Sequence, residues 1–165
     1  MPEREPRIIE IWSDDTILRT FILFFQTARA VLKYADTYLY RKMRFSVVKL
    51  IVLQALANHN GVMKPSEIAK WTQTERHNIT ALIDRLRREG LIKVERNIRD
   101  KRTVNIIMTQ KGRKILSQAI PVAKEVVDQV MLSIVESDAA LLEKLVKVLR
   151  QNADFGLERL AKRSQ

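Results

Sequence analysis

The chain has 165 residues, enough for one domain with a sizeable core, and its 46% apolar and 30% charged residues are those of an ordinary folded domain rather than a disordered one. It has no cysteine, which excludes disulfides, thiolate metal sites and thiol redox sensing, and its two histidines, His59 and His77, lack a metal-ligand spacing. The formal net charge of +11 points toward a polyanionic partner.

Residues 1–7 read as a loose arm and lack the apolar core of a signal peptide. Ile8, Ile9, Ile11 and Trp12 are too apolar for free solvent. They should dock on their own subunit or across a dimer. Ser13, Asp14 and Asp15 suit a helix start, with acidic groups at the positive end of the dipole. The spacing predicts a long helix to about residue 42, with a seam of Leu18, Phe21, Phe25, Ala28, Leu32, Ala35 and Leu39. Ile17, Ile22, Phe24 and Val31 widen the apolar surface, so the helix must pack on more than one neighbour, either within the chain or across a subunit interface. Arg19, Gln26, Arg29 and Lys33 interrupt the apolar run, so no membrane span or membrane partner is expected and the expected location is the cytoplasm.

Ser46 can cap a second helix through about residue 58, with Val48, Ile51, Val52, Ala55 and Leu56 facing inward. Asn60-Gly61 is a turn, and Val62-Met63 could add a short third strand to a later hairpin. Pro65 suits the first turn of a helix to about residue 71 that presents Ile68 and Ala69 to the core, supported by acceptors on Ser66 and Glu67.

After a turn at Thr72-Gln73 comes a helix over about residues 74–89. Thr72 and Glu75 have the spacing of a capping box, and Gly90 can take the left-handed conformation past the helix end. Ile79, Leu82, Ile83 and Leu86 form its apolar face. Gln73, Thr74, His77, Ala81 and Arg88 lie opposite, flanked by Asn78, Thr80 and Arg85, short polar and basic groups able to meet base edges and phosphates. Two β-branched runs, 91–96 and 103–108, flank a basic tip at 97–102. A helix-turn-helix followed by such a hairpin is a winged helix-turn-helix, with the second helix in the major groove and the wing reaching toward the minor groove. Residues 64–114 hold 14 Lys and Arg against 6 Asp and Glu, so the positive charge is focused on this segment.

Thr109 caps a fifth helix. Lys111, Arg113 and Lys114 sit unfavourably at its positive end, a cost that a nearby phosphate would offset. Pro121 should kink or bend it, and its apolar positions continue to Ile134. Ser137-Asp138 should break it and cap a last helix to about residue 162, carrying Leu141, Leu142, Leu145, Val148, Leu149, Phe155 and Leu160.

The central third resembles the MarR family of bacterial and archaeal transcriptional regulators. The matching residues are Ile79-Thr80-Ala81-Leu82-Ile83-Asp84-Arg85-Leu86, Glu89-Gly90-Leu91-Ile92, Asp100-Lys101-Arg102 and Met108-Thr109-Gln110-Lys111-Gly112. One departure is Met108, where that family usually has Leu. The resemblance implies that the wing arginine, Arg102, enters the minor groove and that Asp100 holds it in place. The alternative for this pair is an ordinary hairpin-tip ion pair. Arg99 and Lys101 suit backbone contacts, whereas Arg96 reads equally well as strand surface. On the helix, Gln73, Thr74, His77, Asn78, Thr80, Ala81 and Arg85 are the candidate DNA contacts, with Arg76 reaching a phosphate. His77 fits either a base reader or a solvated residue. Asp84 should pair with a wing or helix arginine.

The resemblance also implies dimerisation through the first and last helices, here 14–42 and 138–163, with Leu18, Phe21, Phe25, Leu145, Leu149 and Phe155 in the interface and 46–114 as the DNA-binding region of a single domain. Many relatives release DNA on binding a small aromatic compound. The corresponding pocket here would involve Trp12, Phe25, Tyr34, Tyr38 or Trp71, although aromatic stripes at helical spacing are more often core. Enzymatic readings do poorly: there is no glycine-rich phosphate loop, no nucleophile-base pattern and no metal cluster, and no cofactor is implied. The expectation is a mainly helical, homodimeric winged helix-turn-helix regulator with a small hairpin wing (α+β). It should repress at a pseudo-palindromic double-stranded DNA site. The competing reading is a sequence-tolerant architectural DNA-binding protein.

Overall fold

The computed structural model describes residues 15–74, 76–96 and 104–163, with the side chains of Arg76, His77 and Arg163 outside that description. Its order is α1 (Thr16–Met43), α2 (Val47–Asn58), β1 (Val62–Met63), α3 (Pro65–Thr72), α4 (Arg76–Arg88), β2 (Ile92–Arg96), β3 (Val104–Met108), α5 (Gln110–Val130) and α6 (Glu136–Arg163). The expected arm, the docking segment ending at Trp12, Glu75 and the hairpin tip lie outside the described residues. The chain divides into two compact units after Val127.

In the first unit, α1 starts where its acidic cluster predicts. Asp15 Oδ1 accepts from the N–H groups of Ile17 and Leu18, and Arg44 closes the other end with φ 55°. Of the expected α1 seam, only Leu39 is buried; Phe21, Phe25 and Leu32 are each at least half exposed. The C-terminal part of α1 meets α5, where the Tyr38 hydroxyl donates to Glu125 and Lys42 approaches the same carboxylate at 3.6 Å.

Two side chains hold the start of α2: Ser46 Oγ accepts from Lys49 N, and Asp36 of α1 accepts from Val47 N at 2.9 Å. The α2 helix is the centre of the core. Val52, Leu53, Ala55 and Leu56 are fully buried. One inward position needs correction. Val48 is 43% exposed, and Leu53 is buried instead. A helix enclosed on several sides carries apolar residues all round, so no single stripe marks its inner face.

The α3 start is held by Glu67, whose carboxylate accepts from Lys64 N at 2.7 Å, with Pro65 at the first helical position. The expected capping box pairs Thr72 with Glu75, which lies outside the described residues. Thr72 is the last residue of α3, and its hydroxyl donates back to Ile68 O at 2.8 Å. Gln73 then turns the chain with φ 53°, and α4 begins at Arg76, two residues later than its periodicity suggests. Gly90, with φ 70°, follows its end as expected.

The sheet order is β1-β3-β2, antiparallel throughout, with Val62 opposite Ile107 and Ile92 opposite Met108. Ile92, Ile106 and Met108 point into the core beneath α2 and α4. Thr109 caps α5 by accepting from Gly112 N at 3.0 Å. Pro121 lies inside α5, where it leaves the Ser117 carbonyl without its usual intrahelical donor.

In the second unit, α5 ends at Val130, short of Ile134, and a turn leads to α6 at Glu136, so Ser137 and Asp138 lie within the helix rather than before it. Leu145, Leu149 and Phe155 are exposed, at 52%, 40% and 61%. A Lys147–Glu143 pair one turn apart decorates the polar side. Among the described residues no helix is long and apolar enough to cross a membrane.

Candidate nucleic-acid interface

The amphipathic split of α4 positions the site. Ile79, Leu82, Ile83 and Leu86 are buried at 7% exposure or less, each contributing roughly 1.5–3 kcal/mol. This anchors one face and turns the opposite face outward. Asn78, Thr80, Ala81, Arg85, Arg87 and Arg88 are exposed. Helix α4 carries four arginines against one aspartate, and three of them lie in its last turn, where they suit the negative end of the dipole.

Asp84 pairs with a helix arginine. Its carboxylate lies 3.2 Å from Arg87 one turn on, and Arg88 Nε donates to its carbonyl at 3.3 Å. The sequence reading placed Arg88 on the outward face and did not single out Arg87, although a basic last turn followed by Gly90 is visible in the sequence.

The C-terminal end of α4 is tied to three neighbours. Lys49 of α2 pairs with the Glu89 carboxylate at 2.5 Å. Lys111 of α5 donates to the Glu89 carbonyl at 2.8 Å, and the Thr109 hydroxyl donates to Gly90 O at 2.7 Å. The Arg113 guanidinium lies over Gly61, occupying the space of a side chain there. The unfavourable charge at the start of α5 is thus partly offset by contacts within the chain. Lys111 answers a helix C-terminus, and no phosphate is needed to explain it.

An open cleft of about 570 Å³ runs beside α4. Arg29, Leu32, Lys33 and Asp36 of α1 form one wall; Thr74, Asn78, Ala81, Leu82 and Arg85 form the other. The α2 start closes its end with Ser46, Val47 and Val48, which explains why Val48 is not core. The residues expected in an aromatic pocket do not line it. Phe25 sits in a smaller recess with Phe21, Ile22, Gln26 and Arg29. Tyr34 and Tyr38 face each other at 5.9 Å, and Trp71 is 42% exposed on α3. Trp12 lies outside the described residues.

The other sequence-derived positions fall as follows. Gln73 is in the turn between α3 and α4, and Thr74 is half-buried beside the cleft. Arg76 and His77 are on the first turn of α4. Arg96 is exposed at the end of β2. Arg99, Asp100, Lys101 and Arg102 lie outside the described residues. Leu18 is half-buried on α1.

A MarR-family sequence profile matches residues 45–103, from the residue before the α2 cap to the hairpin. The HTH-type transcriptional regulator YfiV of Bacillus subtilis (strain 168) is 35% identical over 74 residues, which is 45% of this chain and 46% of YfiV. The transcriptional repressor MprA of Escherichia coli (strain K12) is 26% identical over 105 residues, 64% of this chain and 58% of MprA. The chain thus spans about half the length of these two relatives. Over residues 45–103 the chain is similar to the MarR family. Its fold agrees with that of Sco3205, a MarR-family regulator from Streptomyces coelicolor, with a TM-score of 0.76 and 22% identity over 91% of this chain and 92% of that one. In this winged-helix fold, α3 and α4 are the helix-turn-helix and β2–β3 is the wing. Residues 109–112 join the end of α4 to the start of α5.

Proposed function

We propose that this chain is a sequence-specific double-stranded DNA-binding transcriptional regulator. It acts as a homodimer, represses by occupying a pseudo-palindromic operator, and is released by a small aromatic effector. The observation that carries this reading is the exposed face of α4. Asn78, Ala81 and Arg85 stand outward from a buried apolar stripe, next to a hairpin rooted in the same core. Short polar and basic side chains on a firmly seated helix suit major-groove reading. MprA is named as a transcriptional repressor, and Sco3205 was solved in complex with DNA. In this reading Arg102 inserts into the minor groove with Asp100 orienting it, while Arg76, Arg99 and Lys101 contact phosphates.

Dimerisation is supported by apolar residues left exposed on α1 and α6: Phe21, Phe25, Leu145, Leu149 and Phe155. Such surface normally marks an association site. The effector reading rests on the cleft between α1 and α4. Its apolar lining from Leu32, Val48 and Leu82 suits an aromatic body, and its three cations, Arg29, Lys33 and Arg85, suit a carboxylate or phenolate. A ligand there touches Asn78, Ala81 and Arg85, the face offered to DNA.

Selection of duplexes from a random-sequence pool tests the reading. The expected result is a two-fold symmetric site bound roughly a thousandfold more tightly than a scrambled duplex, with affinity falling steeply as salt rises. Equal binding to both duplexes would instead establish the architectural protein, which the net charge of +11 also suits.

A further inference from the structure

We infer that Lys49, a mostly buried lysine behind α4, is a positioning residue for base reading by α4; the inference rests on the DNA-binding role proposed above. Lys49 lies on α2, with its side chain only 13% exposed. Its ammonium sits 5.6 Å from the centre of the buried Phe45 ring and 2.5 Å from the Glu89 carboxylate. Burial removes it from the phosphate-binding set, and the ion pair directs its charge to one partner. That partner ends α4. The Glu89 N–H donates to Arg85 O at 3.1 Å, so the residue gripped by Lys49 is hydrogen-bonded directly to a residue of the DNA-facing surface.

A second ammonium, that of Lys111, holds the Glu89 carbonyl. Two lysines from α2 and α5 therefore close on one glutamate. One grips the side chain and the other the backbone. A side-chain grip fixes rotation about the helix axis, and a carbonyl grip fixes position along it. The Lys111 ammonium also meets the negative end of the α4 dipole. The apolar stripe alone permits small rolls, because Ile79, Leu82, Ile83 and Leu86 are contacts without direction. Base-edge hydrogen bonds tolerate little misalignment. The Lys49–Glu89 pair supplies the direction.

The test compares Lys49→Met, which keeps the aliphatic stem on Phe45, with Glu89→Gln, Lys49→Arg and the Lys49→Met/Glu89→Gln double variant. Each is titrated against the duplex selected by the wild-type protein and against its scrambled counterpart. Amide exchange at Glu89, Gly90 and Leu91 is followed without DNA. The expected result is cooperative melting in all four. Lys49→Met and Glu89→Gln lose about tenfold or more in affinity for the selected duplex, the scale of one mismatched base pair. Their affinity for the scrambled duplex stays within about threefold, since no phosphate contact is lost. The double variant is no worse than the poorer single one, Lys49→Arg retains selectivity, and the three amides exchange faster in Lys49→Met. Equal losses on both duplexes would make Lys49 an ordinary electrostatic contact and overturn the inference. Unchanged selectivity in Lys49→Met would also overturn it while leaving the DNA reading intact. A wild-type protein without selectivity would remove the DNA reading itself.

Discussion

The backbone of Gly112 lies directly against the carbonyl of Leu91. A Cβ at Gly112 would stand 2.2 Å from Leu91 O and 3.0 Å from Met108 Cγ. No side chain fits there without moving the start of α5 away from the end of α4.

Gly112→Ala should therefore cost about 2–3 kcal/mol of stability through overpacking against backbone, more than the gain in helix propensity returns. Urea unfolding reads this directly. A midpoint equal to wild type would mean that α5 shifts freely and that the junction is not rigid.

Asp36 acts as a cap for a helix other than its own. Its carboxylate meets Val47 N at the positive end of α2. Asp36→Ala should cost about 1 kcal/mol and lower the thermal midpoint by roughly 2–4 °C. Asp36→Asn should recover part of that loss. Equal melting of the alanine variant and wild type would show that water replaces the carboxylate without penalty.

The α1–α5 contact carries a pH signature. The hydrogen bond to Glu125 raises the Tyr38 hydroxyl above 10.0, helped by partial desolvation, and the same bond holds Glu125 below 4.5. The glutamate's contribution is present above its unfolded pKa and fades as pH falls through the lowered folded value. The tyrosine's is present below its unfolded pKa and fades as pH rises through the raised one. The difference in thermal midpoint between wild type and Tyr38→Phe should be flat from roughly pH 5 to 9 and shrink at both ends. A difference that grows outside this window would refute the assignment.

In the proposed regulator, Arg102→Ala should weaken binding to the selected duplex by roughly 1–3 kcal/mol, and Arg85→Ala should weaken it with a salt slope reduced by about one if Arg85 meets a phosphate. Fluorescence anisotropy across salt separates the two effects. A folded Arg102→Ala protein that binds like wild type would remove the wing from the mechanism.

Leu149→Asp places a charge on the exposed apolar side of α6. Sedimentation should show a wild-type dimer and a monomeric variant of retained helicity, since a buried unpaired charge opposes association. Identical sedimentation would place the dimer interface elsewhere.

Much of this architecture is legible in local pattern. The hairpin follows from β-branched runs around a polar tip, and the α1 start from Asp15. Other features depend on the whole fold. The Thr72 hydroxyl bonds back to the carbonyl of Ile68 four residues earlier, a contact that depends on α3 reaching as far as Thr72. Leu53 and Val48 exchange roles because α2 is enclosed on several sides except where the cleft opens. The cleft is formed by the approach of α1 to α4, which no periodicity encodes. Lys111 looks like a misplaced charge until the end of α4 is known to lie beneath it. The outward residues of α4 are legible as a face, whereas Lys49 behind them is not, because its partner is forty residues away.

β2 is an outer strand of the three-stranded sheet, and its outward backbone is a template on which a strand from another molecule could pair. Lys93, Glu95 and Arg96 occupy that strand, all exposed, with Lys93 and Glu95 paired at 2.5 Å. Charges along an edge resist the flat, dry pairing that seeds aggregation.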